Sequence, residues 1–178
     1  MSVYSFDSPG LKPIIFVINL VLVLPFALAW ILLPSAAGGF QWKVPMIIVA
    51  LTLPLAVLLL AQLACVKIGI EDGQLMVGGG LYKEIVNLSE IDCSAARKVN
   101  LVEKPELPGI RTNGIGLPGF KLGWFQPYRG KKLFVLIAGS QAVLVPTSKP
   151  YDLLLSPANA DRLLMDLRGT THVPNAAR

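Results

Sequence analysis

The residues able to do chemistry are few and scattered. Gly114-Ile115-Gly116-Leu117-Pro118-Gly119 has the G-x-G-x-x-G spacing of a dinucleotide-binding turn. Such a turn needs a strand before it, a helix after it and an acid about 20 residues further on. Here Phe120-Lys121-Leu122-Gly123-Trp124-Phe125 follows, which reads as a strand, and no Asp or Glu occurs between Glu106 and Asp152. The glycines are expected to serve a turn and a bulged strand edge, where a residue without Cβ permits positive φ. Arg111 and Asn113 precede them. Arg111 suits a phosphate or a partner carboxylate, or the carbonyls of its own loop, and Asn113 suits a turn cap.

Arg129-Gly130-Lys131-Lys132 is the densest basic cluster. Near a bilayer each cation would attract anionic lipid by about 1 kcal/mol; away from one it is a solvated hairpin end. Arg129, Lys131, Lys132 and Arg111 are therefore the candidate contacts for a lipid headgroup or a partner. The carboxylates Glu71, Asp72, Glu84, Glu90, Asp92, Glu103 and Glu106 fall mostly at expected turns, unpaired for acid–base work. No serine sits in a G-x-S-x-G elbow. Cys65 and Cys93 have no His or Cys at metal-ligand spacing, and the one histidine, His172, lies in a polar tail. Neither a catalytic residue, a metal site, a cofactor nor a small-molecule substrate is expected, and the chain does not read as an enzyme. The net charge of +5 is not gathered into a dense stripe, so nucleic acid is not expected as a partner.

The elements that carry these residues divide sharply. Of 27 charged residues only Asp7, Lys12 and Lys43 precede Lys67. Ile14–Leu33 and Val44–Val66 are uncharged and, at 1.5 Å per residue, about 30 and 34 Å long, enough to span a hydrocarbon core. Backbone in lipid must satisfy its own hydrogen bonds, so both runs are expected to be transmembrane helices, bent at Pro25 and Pro54 and packed as a hairpin. Asn19 is the strongly polar group of the first run and Gln62 lies near the end of the second. Both suit helix–helix hydrogen bonding, with transport the lesser reading. Residues 34–42 join the helices, flanked by Trp30 and Trp42 as interface aromatics. Ser35-Ala36-Ala37 has the small residues of a cleavage site, but the apolar stretch before it is too long for a signal peptide. Lys12, Lys67, Lys83, Arg97 and Lys98 outweigh Lys43, which places both termini in the cytoplasm.

From Lys67 the pattern turns to strands. Asp72-Gly73 between short apolar runs marks a hairpin. Gly78-Gly79-Gly80 reads as a flexible break, Leu81–Leu88 as a strand, and Ile91–Val102 as one or two more. Lys131–Ile137 and Ala142–Pro146 form a second expected hairpin, and Tyr151–Leu155 a last strand. A closing helix is expected with Ser156 as cap, Pro157 at the first helical position, Ala160, Leu163, Leu164 and Leu167 on one apolar face, and Gly169 as the stop. A sheet of six or seven strands, rolled into a small barrel and plugged by that helix, would bury both faces.

Arg111 through Phe125, Val145-Pro146-Thr147, and Tyr151-Asp152-Leu153-Leu154-Leu155-Ser156-Pro157 resemble stretches of the bacterial PH (pleckstrin-homology-like) domain family, over roughly Val66 to Arg168. The resemblance implies a curled sheet of about seven strands ended by one helix, often behind one or two membrane helices, with no common enzymatic activity. The expected organisation is a two-helix transmembrane region over 1–66, a PH-like β domain over 67–168, and a disordered tail over 169–178. The expected role is a non-enzymatic interaction or scaffold module at the cytoplasmic face of the membrane. It would contact lipid and either a protein partner or its own copies. The alternative is an accessory subunit of a transporter or channel.

Overall fold

A computed structural model describes residues 2–4, 10–32 and 43–170. The expectations for the loop 34–42, for Trp42, for His172 and for the tail beyond Thr170 lie outside the described residues. The first apolar run is helical as α1 (Leu11–Ile18), a π-type segment (Asn19–Val23) and α2 (Leu24–Leu32); the second is α3 (Lys43–Ala64). The π segment has a local cause. Pro25 lacks the N–H that would bond the Val21 carbonyl, and its ring crowds that carbonyl, so the chain shifts register just ahead of it. Val17, Val21 and Ala56 pack where the two helical runs meet. Elsewhere the helices are apolar and open, with Leu51 73% and Ile31 72% exposed. Leu11–Leu28 and Met46–Ala64, of mean hydropathy 2.3 and 2.5, are long and apolar enough to cross a membrane. Uncovered apolar surface on this scale is unfavourable in water and neutral in lipid.

The rest is two sheets and a helix. The first sheet has the order β1 (Ser2–Tyr4), β2 (Lys67–Glu71), β3 (Gln74–Gly79), β4 (Tyr82–Asn87). Asp72 and Gly73, both at positive φ, make the tight β2–β3 turn that the sequence predicts. β1 extends the sheet antiparallel to β2, a strand the sequence reading did not anticipate.

The second sheet is built from β5 (Arg97–Asn100), β6 (Ile110–Leu117), β7 (Phe120–Gln126), β8 (Lys132–Ala138), β9 (Gln141–Val145) and β10 (Tyr151–Leu155), in the order β5-β9-β10-β8-β7-β6. The expected β8–β9 hairpin is absent. β10 lies between them, parallel to β8 and antiparallel to β9. The turn at Gly139-Ser140 reverses the chain, but Leu153, Leu154 and Leu155 are all fully buried. A strand apolar on both faces takes a central position.

Helix α4 (Ala160–Thr170) closes the fold. Asn159 caps it, its Oδ1 accepting the Arg162 N–H at 2.9 Å. The expected cap Ser156 instead donates its hydroxyl to the Gln141 carbonyl, and Gly169 lies within the last turn rather than after it. Leu163, Leu164 and Leu167 enter the main core between the sheets, with Val77, Val86, Phe120, Leu136 and Leu155. A second apolar layer (Phe125, Leu133, Val135, Ile137, Leu154) covers the outer face of the larger sheet beneath Leu101 and Leu107.

Candidate interaction surfaces

Strand direction decides which end of the β fold meets the helices. α3 ends at Ala64 and β2 begins at Lys67. The turns at Gly119 and Gly139 line a crevice with Gly10–Pro13 at the start of α1, and Leu117 packs against the helix pair. From Gly119 the seven residues of β7 carry the chain about 20 Å away, so Arg129-Gly130-Lys131-Lys132 occupies the far end. The cluster therefore stands at the end of the β fold opposite the two apolar helices.

The four cations singled out in the sequence also go to different partners. Lys131 donates to the Thr147 carbonyl at 2.7 Å and lies 3.7 Å from Asp152. Lys132 sits 4.9 Å from the centre of the Trp124 ring, a cation–π contact. Arg129 is exposed in the bend beside Tyr128, which is 76% exposed. Arg111 reaches back along β6 toward the helices, its guanidinium 3.2 Å from where a Cβ of Gly116 would lie. Across the register from Gly116 stands Lys121.

The G-x-G-x-x-G run is thus the β6–β7 hairpin, with a bulge at Thr112. Gly114 opposes Gly123 so closely that a Cβ on Gly114 would lie 2.2 Å from the Leu122 carbonyl oxygen. Asn113 caps no turn; its Oδ1 accepts the Tyr82 hydroxyl at 3.0 Å. That bond begins a seam along which β4 meets the larger sheet. Trp124 stands edge-on to Tyr151 at 4.9 Å, and the Tyr151 hydroxyl donates to Glu84 at 3.0 Å. Lys149 bonds the Ile85 carbonyl and pairs with Glu90 at 3.3 Å. Burial, then the bond to Glu84 and its charge, push the Tyr151 phenol up. Burial would also raise Glu90, but the Asn87 N–H and Lys149 outweigh it and hold the carboxyl low. Every polar group named here has a partner, so the seam is a clasp between sheets rather than an open pocket.

The polar residues of the helices do not meet each other. The Asn19 amide donates to the Ile15 carbonyl of its own helix at 2.9 Å and lies on the exposed side. It borders a groove with Phe16, Leu20, Val23, Leu24 and Ala27. Gln62 faces the β fold. Its Oε1 accepts the Leu81 N–H at 3.0 Å and its Nε2 donates to the Gly79 carbonyl. Gly78-Gly79-Gly80, expected as a flexible break, is this joint. A Cβ on Gly79 would lie 2.0 Å from the Cys65 carbonyl oxygen, and one on Gly80 would strike the Gln62 amide. Sequence reasoning missed the joint, although three glycines and one buried glutamine were its signal. Cys65 is exposed and Cys93 buried, both as free thiols. No group of three or more His, Cys, Asp or Glu able to hold a metal occurs among the described residues.

Two facing sheets closed by one C-terminal helix, behind two apolar helices, define a PH-like domain. The family model described as bacterial PH domain matches residues 66–171, and the chain belongs to that family. No curated protein and no solved structure matches it. PH-like domains commonly mediate interactions and are generally non-enzymatic.

Proposed function

We propose that this chain is a membrane-anchored, non-enzymatic interaction module. Residues 1–66 serve as a two-helix transmembrane anchor, and residues 67–168 as a PH-like domain on the cytoplasmic side that binds a protein partner or further copies of itself. The observation that carries the reading is the free edge of β6. Among the described residues this strand, eight residues long and solvent-accessible along most of its length, is paired on one side only. An uncovered strand edge offers a row of unpaired N–H and C=O groups to a partner strand. The segment from Leu107 to Tyr151 has six cations (Arg111, Lys121, Arg129, Lys131, Lys132, Lys149) and no acid, which suits an acidic partner surface. Of these, Arg129 and Arg111 are the contacts proposed for it. The orientation rests on the excess of Lys and Arg at the outer ends of the helix pair. The alternative, an accessory subunit of a transporter or channel, would use the exposed groove that Asn19 borders with Phe16, Leu20 and Val23.

The test is cross-linking and pull-down of the full chain from native membranes, with light scattering of the detergent-solubilised protein. An oligomer or a reproducible partner is expected. Ile110→Lys, which places a charge at an exposed position at the start of β6, should disperse it while leaving thermal unfolding unchanged. A lone monomer with nothing bound overturns the reading.

A further inference from the structure

The two hairpins of the smaller sheet end in opposite chemistries. β2 turns into β3 through Glu71-Asp72-Gly73-Gln74, polar as a turn in water is expected to be. β3 turns into β4 through Gly79-Gly80-Leu81-Tyr82, which has no charge, and its leucine is 75% exposed. This second hairpin retraces the path by which the chain leaves the helices. Gly78 stands opposite Lys67. A Cβ on Gly79 would lie 2.0 Å from the Cys65 carbonyl oxygen, and one on Gly80 would lie 2.3 Å from Gln62 Oε1. Gly78, Gly79 and Gly80 thus step back along the chain from Lys67 to Gln62, in the last turn of α3 and within the length Met46–Ala64 that is able to cross a membrane.

Side chains of a helix lean toward its N-terminus, which for α3 is the bilayer interior. A turn fastened to the Gln62 amide therefore lies beside the last turn of α3 and not beyond its end. The row Lys67–Gly78–Lys83 comes next along the strands and is the first to carry charge. A turn at that depth loses water from its backbone, and unpaired backbone groups in lipid are costly. Gln62 takes up two of them. Its Oε1 accepts the Leu81 N–H at 3.0 Å, and its Nε2 donates to the Gly79 carbonyl. What the tip then presents outward is a leucine side chain, unfavourable in water and at home among acyl chains.

From this geometry we infer that the Gly80-Leu81 tip enters the hydrocarbon edge of the bilayer, with Leu81 among the acyl chains and Gln62 standing in for the water that the turn gives up. The inference rests on the membrane-anchored reading. It gives the β fold a contact with the bilayer additional to the two helices, and that contact sets the tilt of the fold. It calls for acyl chains and for no particular headgroup.

The full chain with Cys65→Ser is given one nitroxide label at Leu81→Cys, Leu51→Cys or Tyr128→Cys, Cys93 being buried, and is placed in nanodiscs of phosphatidylcholine. Collision rates with oxygen, which concentrates among acyl chains, and with a water-soluble nickel chelate are read by electron paramagnetic resonance. Leu51, 73% exposed on α3, reports the anchor, and Tyr128 at the far end reports water. The oxygen-to-nickel ratio at position 81 should exceed that at position 128 several-fold and approach that at position 51. In the unsubstituted chain, phosphatidylcholine with a diazirine near the carboxyl end of an acyl chain should cross-link Gly80 or Leu81 in the tryptic peptide 68–83. The same lipid with the diazirine on its headgroup should leave both untouched. Equal ratios at positions 81 and 128 with a high ratio at 51, or cross-links from the headgroup probe alone, overturn the dipping tip while leaving the anchor standing. A ratio at position 51 as low as that at 128 overturns the anchor and the tip together.

Discussion

Gln62, in the last turn of α3, accepts the backbone N–H of Leu81 at 3.0 Å, so a residue of an apolar helix holds the β3–β4 turn. Its side chain satisfies a donor and an acceptor at once, and it is 5% exposed. Gln62→Leu leaves both backbone groups without their partner. The expected cost is about 1–3 kcal/mol, read as a lower denaturant midpoint of the detergent-solubilised chain. Amide exchange at Leu81 should quicken at the same time. Unchanged exchange there would show that Gln62 does not hold the turn.

Two glycines give a contrasting pair. Gly79→Ala drives a methyl into the Cys65 carbonyl, backbone against backbone, and overpacking of this kind costs roughly 2–3 kcal/mol. Gly119→Ala meets open space and suffers only from its φ of +77°, a cost of about 1 kcal/mol. Chemical unfolding of the two variants should rank them in that order. Equal costs would mean that the close approach of β3 to the end of α3 is not maintained in solution.

Much of this was legible in the chain itself, for physical reasons that differ by element. Asp72-Gly73 encodes its own turn because few residue pairs adopt two successive positive φ values. Leu163, Leu164 and Leu167 declare a helix face by spacing alone. The β8–β9 hairpin misled because a Gly-Ser turn specifies reversal, not adjacency. What separates the two strands is Leu153-Leu154-Leu155, distant in sequence and apolar on both faces. The helix cap went to Asn159 rather than Ser156 because the Ser156 hydroxyl is taken by a carbonyl of β9. The basic run Arg129–Lys132 is obvious as composition, but its distance from the helices follows from the direction of β7. The Lys67–Gly78–Lys83 row exists only once strand register is known.

Acid should loosen the loop that links the two sheets. Asp92 accepts the Ser94 hydroxyl at 2.6 Å and the N–H groups of Ser94 and Ala95, and these bonds, the hydroxyl first, hold its carboxyl below the usual value. A depressed folded pKa contributes stability that is present above the unfolded value, near 4, and is lost as pH falls through the folded one. Glu90 acts in the same direction. Stability measured by urea unfolding should therefore decline as pH drops below about 4. Asp92→Asn and Glu90→Gln should each flatten that decline. Parallel curves for wild type and variants would contradict it.

Asn19 offers a test confined to the helices. Its amide bonds the carbonyl of Ile15 in the same helix and faces outward, so it contributes nothing to the contact of Val17 and Val21 with Ala56. Asn19→Leu should leave thermal unfolding in detergent within about 0.5 kcal/mol of wild type. Val17→Asn, at a buried helix–helix position, should lower it clearly. A large loss from Asn19→Leu would place a partner helix against the groove beside Phe16 and Val23.

The two thiols report orientation and packing together. Cys65 is exposed just past the end of α3. Cys93 is buried, and burial, with the neighbouring Asp92 charge, pushes its thiol up. Thiolate is the reactive form, so Cys93 is protected both by access and by protonation. A charged, membrane-impermeant maleimide should label Cys65 quickly and Cys93 only after denaturation. With the domain on the cytoplasmic side, labelling of Cys65 requires inside-out vesicles, and intact cells should leave it unmodified. Rapid labelling of Cys65 in intact cells would reverse the orientation, because a helix end cannot face both sides of the membrane. Rapid labelling of Cys93 under native conditions would instead show that the core around Ile91 and Ala96 opens far more readily than its packing allows.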